Sequence, residues 1–178
     1  MTFDTPEHHY EIVTELLKGK FILWDEIYFQ TLVKEQDFYK TFFKNSFGYE
    51  LVLRKEFAYL SSKSTNEEFS KRFTVILSIL CYEWNLKGRE IKDFLEQTTF
   101  SAFEVKTLLE NSTYSDILKL IKFKKQEDVE KFLKELDQRN IIKLDNDRET
   151  FEFTKAVDLF FEFAKEIAES KLKSVKNQ

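Results

Sequence analysis

The sequence predicts a mainly α fold with small β wings, organised as tandem winged-helix domains, and three observations carry that prediction. Two β-leaning runs joined by a charged turn occur twice: residues 49–53 and 57–60 flank Arg54-Lys55-Glu56, and residues 141–144 and 150–153 flank a turn with Asp145, Asp147, Arg148 and Glu149. Each pair follows an apolar helical pattern, Phe38 to Phe43 in the first copy and Val129, Phe132, Leu133 and Leu136 in the second. A helix that feeds directly into a two-stranded ribbon is a helix-turn-helix unit with a wing appended. The first copy, moreover, runs in the full order helix, strand, helix, helix, wing. The expected domains are residues 1–62, an N-terminal winged helix, and residues 63–178, a C-terminal winged helix with a helical insertion and a terminal helix.

Pro6, after Thr5 as cap, suits the first turn of a helix bearing Tyr10, Val13, Leu16 and Leu17 that stops near Gly19. Phe21-Ile22-Leu23 reads as a short strand, and helices follow around Ile27 to Val33 and Phe38 to Phe43 before Asn45-Ser46-Phe47-Gly48 turns into the first ribbon. The polar stretch from Ser61 to Asn66 is the expected boundary. Beyond it Phe69, Phe73, Ile76, Leu77, Leu80 and Trp84 define one helical face, while Val75, Ile79 and Tyr82 add a second. A helix apolar nearly all round is buried on more than one side, which places this one at the junction of the units or in a subunit contact. After Gly88 come helices from Arg89 to Leu95, Ser101 to Leu109 and Ser115 to Phe123, the last two read as an insertion. Gln126 to Arg139 occupies the recognition position and Asn140 closes it. Thr154 caps a terminal helix with Val157, Phe160, Ala164, Ile167 and Ala168 on its inner stripe and Leu159, Phe161 and Phe163 off it.

Composition bounds the function. At 178 residues the chain can build a real core without staples, and its single cysteine, Cys81, within an apolar run, reads as a small buried hydrophobe in a reducing cytoplasm. The apolar run from Val75 to Tyr82 is far short of the roughly 20 residues a membrane span requires. A net charge of −4 opposes indiscriminate binding of polyanions. The 20 phenylalanines exceed what two small cores need, so part of them is expected to face a partner.

Catalytic constellations are missing from the pattern. His8 and His9 are adjacent and diverge by about 100° on a helix, so they read as a solvated face rather than a chelating pair. Cys81 has no histidine beside it in sequence, and three glycines, Gly19, Gly48 and Gly88, form no phosphate loop. The recognition helix carries five acidic side chains from Glu127 to Asp137 against Lys131, Lys134 and Arg139, and the second wing is acidic too, which disfavours major-groove reading. Two basic groups remain as candidates for contact with a DNA backbone: Arg54 and Lys55 at the first wing tip, and Lys119, Lys122, Lys124 and Lys125 before the second recognition helix. For a protein partner the candidates are Leu159, Phe161 and Phe163 on the terminal helix, with Trp84.

The chain resembles the MukE/MksE family, tandem winged-helix subunits of the KITE class in bacterial condensin-like SMC complexes. The resemblance rests on Leu16-Leu17-Lys18-Gly19-Lys20-Phe21-Ile22, on Phe38-Tyr39-Lys40-Thr41-Phe42-Phe43 and on the first ribbon, followed by Ile79-Leu80-Cys81-Tyr82 and the block from Val129 through Leu136, Ile141, Phe151, Phe153 and Thr154 to Phe160. These run collinearly along most of the chain. MksE is the nearer comparison, because the chain is compact and lacks the acidic C-terminal extension expected in MukE-like proteins. The resemblance implies a non-enzymatic subunit without cofactor, cytoplasmic and nucleoid-associated, that dimerises largely through its N-terminal unit. It would bind a kleisin similar to MksF or MukF and, through it, an SMC-like ATPase similar to MksB or MukB, with weak non-specific DNA contact at most and no membrane partner. Such complexes organise and segregate chromosomes, and relatives act in plasmid defence. The alternative is a winged-helix transcription regulator, which requires operator binding that survives physiological salt.

Overall fold

The computed structural model describes residues 5–61, 67–88, 99–123, 126–145 and 147–165. The expected boundary at 62–66 and the expected helix from Arg89 to Leu95 therefore lie outside the described residues, as do Lys124, Lys125, Ile167 and Ala168.

The first winged helix comprises α1 (His9–Leu17), β1 (Ile22–Leu23), α2 (Ile27–Lys34), α3 (Gln36–Phe47), β2 (Glu50–Leu53) and β3 (Phe57–Ser61). Its strands form an antiparallel sheet in the order β1-β3-β2, with Leu51 opposite Leu60 and Ile22 opposite Ala58. Two expectations for α1 are corrected. Pro6 precedes the helix, its carbonyl accepting from the His9 N–H at 3.2 Å across a left-handed His8. The buried face is Ile12 and Leu16, four residues apart, so Tyr10, about 200° round the helix from Ile12, is 77 % exposed. His8 and His9 do not form a solvated face either. His9 stacks on Tyr39 and meets the rings of Phe38 and Phe42 edge-on, and His8 meets Tyr28.

The second unit repeats the plan with α4 (Glu67–Leu86), β4 (Phe100–Ser101), α5 (Ala102–Glu110), α6 (Ser115–Leu120), α7 (Gln126–Gln138), β5 (Ile142–Asp145) and β6 (Thr150–Phe153). Its sheet order, β4-β6-β5, reproduces that of the first unit. The equivalence of β4 with β1 makes α5 the counterpart of α2, so α6 is the inserted helix and the expectation of a two-helix insertion is corrected. Ser101 ends β4 and caps α5, its Oγ accepting from the Glu104 N–H at 3.3 Å. After β6, Thr154 accepts from the Ala156 N–H at 3.2 Å and starts a 3₁₀ turn (Lys155–Val157), which runs into a final helix, α8, over residues 158–165.

That 3₁₀ turn moves the terminal stripe. Its residues advance about 120° each instead of 100°, so Ala156, Val157, Leu159 and Phe160 all point inward, and Leu159 joins the core. The two sheets sit over separate clusters, but not separable ones. The cluster of the second unit takes in Phe21, Leu23 and Phe57 from the first. Phe21 lies with its ring 6.1 Å from that of Phe160. Its N–H donates to the Arg139 carbonyl and its carbonyl accepts from Asn140 Nδ2, both at 2.9 Å. Asn140 adopts φ 60°, a left-handed conformation that asparagine tolerates, to end α7 and face that loop. The phenylalanines are thus mostly consumed internally, in ring clusters such as Phe69, Phe73 and Phe160; Phe38, Phe47 and Phe103 are the exposed ones among the described residues.

Candidate functional site

Alpha 4 is buried along Phe73, Ile76, Leu77, Ile79, Leu80 and Trp84, and the face that carries Ser78, Tyr82 and Asn85 is exposed beside a half-buried Cys81. Between that face and α8 runs a groove of about 320 Å³ lined by Leu77, Ser78, Cys81, Tyr82, Asn85, Phe161 and Ala164. Its polar groups turn away from it or are neutral: Ser78 Oγ donates to the Thr74 carbonyl one turn back, at 2.7 Å. Cys81 is half-buried rather than fully buried, and desolvation pushes its thiol up to about 11. The side chain therefore acts as a neutral apolar wall, not a thiolate nucleophile. Tyr82 is held upright by an edge contact with Tyr114 at 5.2 Å. A surface of this kind can bury an apolar side chain or a helix face.

The expected partner residues divide here. Phe161 walls the groove and Phe163, half-buried, packs edge-on against Phe160 at 6.3 Å. Trp84 and Leu159 are corrected to core positions. Trp84 is 2 % exposed, with its ring 5.5 Å from that of Phe100, and Leu159 is 3 % exposed, so neither can present a side chain to a partner. Tyr82, Leu77 and Asn85 were not among the expected site residues; the second apolar face of α4 signals Tyr82, while Leu77 belongs to the first face and Asn85 to neither.

The expected cations are similarly divided. Arg54 is engaged by Glu162 of α8, with Nη1 2.7 Å from both carboxylate oxygens, and this pairing raises its pKa further. Lys119 is paired with Asp116 at 2.8 Å. Lys55 and Lys122 are exposed, Lys122 at a left-handed φ of 60°. On α7, Glu135 binds both Arg72 and Arg139, and the Arg139 guanidinium lies 4.0 Å over the Phe69 ring. The arginine of the recognition helix is thus spent on internal packing. Among the described residues no three His, Cys, Asp or Glu side chains come together as a metal site, and no helix is long and apolar enough to cross a membrane.

A second apolar feature lies on the first unit. Phe38, Phe42, Phe47 and Tyr49 form a ladder of rings along α3 and into β2, with successive centroids 6.1, 5.8 and 6.5 Å apart, and Tyr10 and Leu17 stand exposed on α1.

The family model for condensin complex protein MksE matches residues 7–165. The chain belongs to the MksE family. The match takes in both winged helices, the α4/α8 groove and the aromatic ladder together. Membership makes the chain an accessory subunit of a condensin complex, associated with the other subunits of that assembly. A comparison with curated proteins finds no match.

Proposed function

We propose that this MksE-family chain is a non-enzymatic scaffold that captures a kleisin segment in the α4/α8 groove and pairs with a second copy of itself through the first winged helix. The observation that carries the reading is the groove itself, apolar along both helices, with Phe161 on one wall and Tyr82 on the other. An amphipathic helix buries its apolar face in such a groove through anchors one turn apart. The kleisin would be similar to MksF or MukF, and through it the chain would sit beside an SMC-like ATPase similar to MksB or MukB. Exposed Phe38 and Phe47 of the aromatic ladder, with exposed Tyr10 and Leu17 on α1, support the dimer, since exposed apolar surface favours association. In this reading the working units are residues 1–62 and 63–178, the protein is cytoplasmic and nucleoid-associated, and it serves chromosome organisation and segregation or plasmid defence. Lys55 and Lys122 supply weak, non-specific contact with DNA, joined by Lys119, Lys124 and Lys125.

Co-purification with the kleisin encoded beside it tests the reading, using wild-type protein and Phe161→Asp. Wild type is expected to retain the kleisin, and the variant to lose it while keeping the wild-type circular dichroism and a cooperative melt. A folded wild type that retains no kleisin overturns the proposal. The rival reading, a transcription regulator, predicts operator binding that withstands physiological salt; the acidic surface of α7 and the internal use of Arg139 speak against it.

A further inference from the structure

The tip of the first wing holds two cations, but one of them is covered. Arg54 reaches across to α8, where Glu162, 108 residues away in sequence, accepts from its Nη1 at 2.7 Å through each carboxylate oxygen. The Phe57 ring lies 5.8 Å from the guanidinium carbon, and the Tyr59 hydroxyl takes part in the same cluster. Glu56 and Asp158 add negative potential beside Glu162, with Lys155 opposing them. The geometry turns the guanidinium towards the protein's own carboxylates.

The pair is dispensable for holding the wing in place. Its side chains are 36 % and 49 % exposed, a setting in which ion pairs contribute little, and the wing is already tied to the second unit through Phe21, Phe57 and Phe160. What the pair does accomplish is to occupy the planar, multidentate donor of the wing tip, the group best shaped to grip a phosphate. Lys55, its neighbour, is exposed and makes no ion pair among the described residues. Arg and Lys side chains are the ones that most often pair with a nucleic-acid backbone, and the wing tip carries one of each side by side.

We propose that Glu162 is an autoinhibitory counter-ion, and that Arg54, together with Lys55, grips the phosphate backbone of duplex DNA when Glu162 is drawn away. Glu162 directly follows Phe161, which walls the α4/α8 groove, so a chain seated in the groove bears on the residue that holds Arg54. That coupling rests on the reading given under Proposed function; the masking of Arg54 does not.

The test is a fluorescence-anisotropy titration of the full-length protein against a labelled 20-base-pair duplex of arbitrary sequence at several salt concentrations. The proteins are wild type, Glu162→Gln, Arg54→Gln and the double variant. If the pair holds Arg54 with the strength usual for exposed ion pairs, Glu162→Gln tightens binding about two- to sixfold. The slope of log affinity against log salt is expected to be shallower by about 0.9 in the Arg54→Gln proteins, which have one phosphate contact fewer. In the Arg54→Gln background the same Glu162→Gln change is expected to leave affinity and slope nearly unaltered. Equal tightening in both backgrounds, which would be a net-charge effect alone, overturns the proposal. So does a Glu162→Gln protein that binds as wild type does, or four proteins none of which binds. Circular dichroism of each variant checks that the exposed substitutions leave the fold intact. Because no kleisin is present, failure here leaves the groove reading standing, and failure of Phe161→Asp to release kleisin leaves the masking of Arg54 standing.

Discussion

Gly19→Ala probes the seam between the two winged helices at a single atom. Gly19 ends α1 at φ +78°, with its own N–H on the Leu16 carbonyl and the Lys20 N–H on the Glu15 carbonyl, the paired bonds of a Schellman stop. Alanine in this left-handed conformation costs about 1 kcal/mol. Its Cβ would also sit 2.5 Å from Arg139 Nη1, so the guanidinium has to move. It would thereby give up its 3.4 Å bond to the Gly19 carbonyl and its place over Phe69, a further loss of about 1–2 kcal/mol. The total of about 2–3 kcal/mol corresponds to a drop in Tm of about 5–10 °C for a chain of this size. Gly48→Ala is the internal control, because Gly48 has nearly the same φ of +71° and nothing within 4 Å of an added Cβ, leaving only the strain of about 1 kcal/mol. Urea and thermal melts of both variants, and of Gly19→Ala in an Arg139→Ala background, separate the two contributions. If Gly19→Ala and Gly48→Ala melt together, or if removing Arg139 leaves the cost of Gly19→Ala unchanged, the reasoning about the seam is wrong.

Two further outcomes follow from the ionisation of single groups. With its thiol at about 11, Cys81 is about 0.1 % thiolate at pH 8, against about a quarter for an ordinary cysteine, so its reaction with a disulfide reagent should run on the order of a hundredfold slower than that of a free thiol. A rate near that of free cysteine in the folded protein contradicts the placement of Cys81 on the groove wall. Glu15 is held below the ordinary carboxylate value of 4.5 chiefly by its bond to Lys20, 2.8 Å away, with Lys18 assisting. A depressed folded pKa gives stability that is complete above 4.5 and fades as pH falls through the lowered value. Wild type should therefore melt up to about 4 °C above Glu15→Gln at pH 6, and the gap should close towards pH 3; a gap that grows on acidification contradicts the assignment.

The large pattern of this fold can be read in the chain because wings and stripes are local. Two apolar runs around a charged turn have few alternatives to a hairpin, and the spacing of Phe73, Ile76, Leu77, Leu80 and Trp84 leaves little freedom in how α4 is buried. What escaped was set by phase and by distance. A strand of two residues, Phe100 and Ser101, is too short to show alternation and acquires its identity only from pairing with β6. The stripe of α8 was displaced by a 3₁₀ turn that periodicity at 100° cannot anticipate, which is why Leu159 passed for a surface residue. Trp84 lies on the inner face of α4; its place against Phe100 depends on a strand 16 residues further on, a distance at which helical periodicity is silent. The pairing of Arg54 with Glu162 spans 108 residues and has no local signature at all, whereas Phe161 and Tyr82 were each visible as apolar residues off an inner stripe but not as opposite walls of one groove.

The burial of Phe21 among side chains of the other winged helix has a mechanical consequence. A hinge between two domains needs a layer where little is lost by sliding, and here that layer is filled by an aromatic ring, a backbone hydrogen bond, a bond from the Asn140 side-chain amide and the Arg139 guanidinium. Torque applied at either end is carried through to the other with little give. Such a seam makes for a stiff bracket, in which the bearing of one winged helix on the other is decided when the chain folds, before any load arrives.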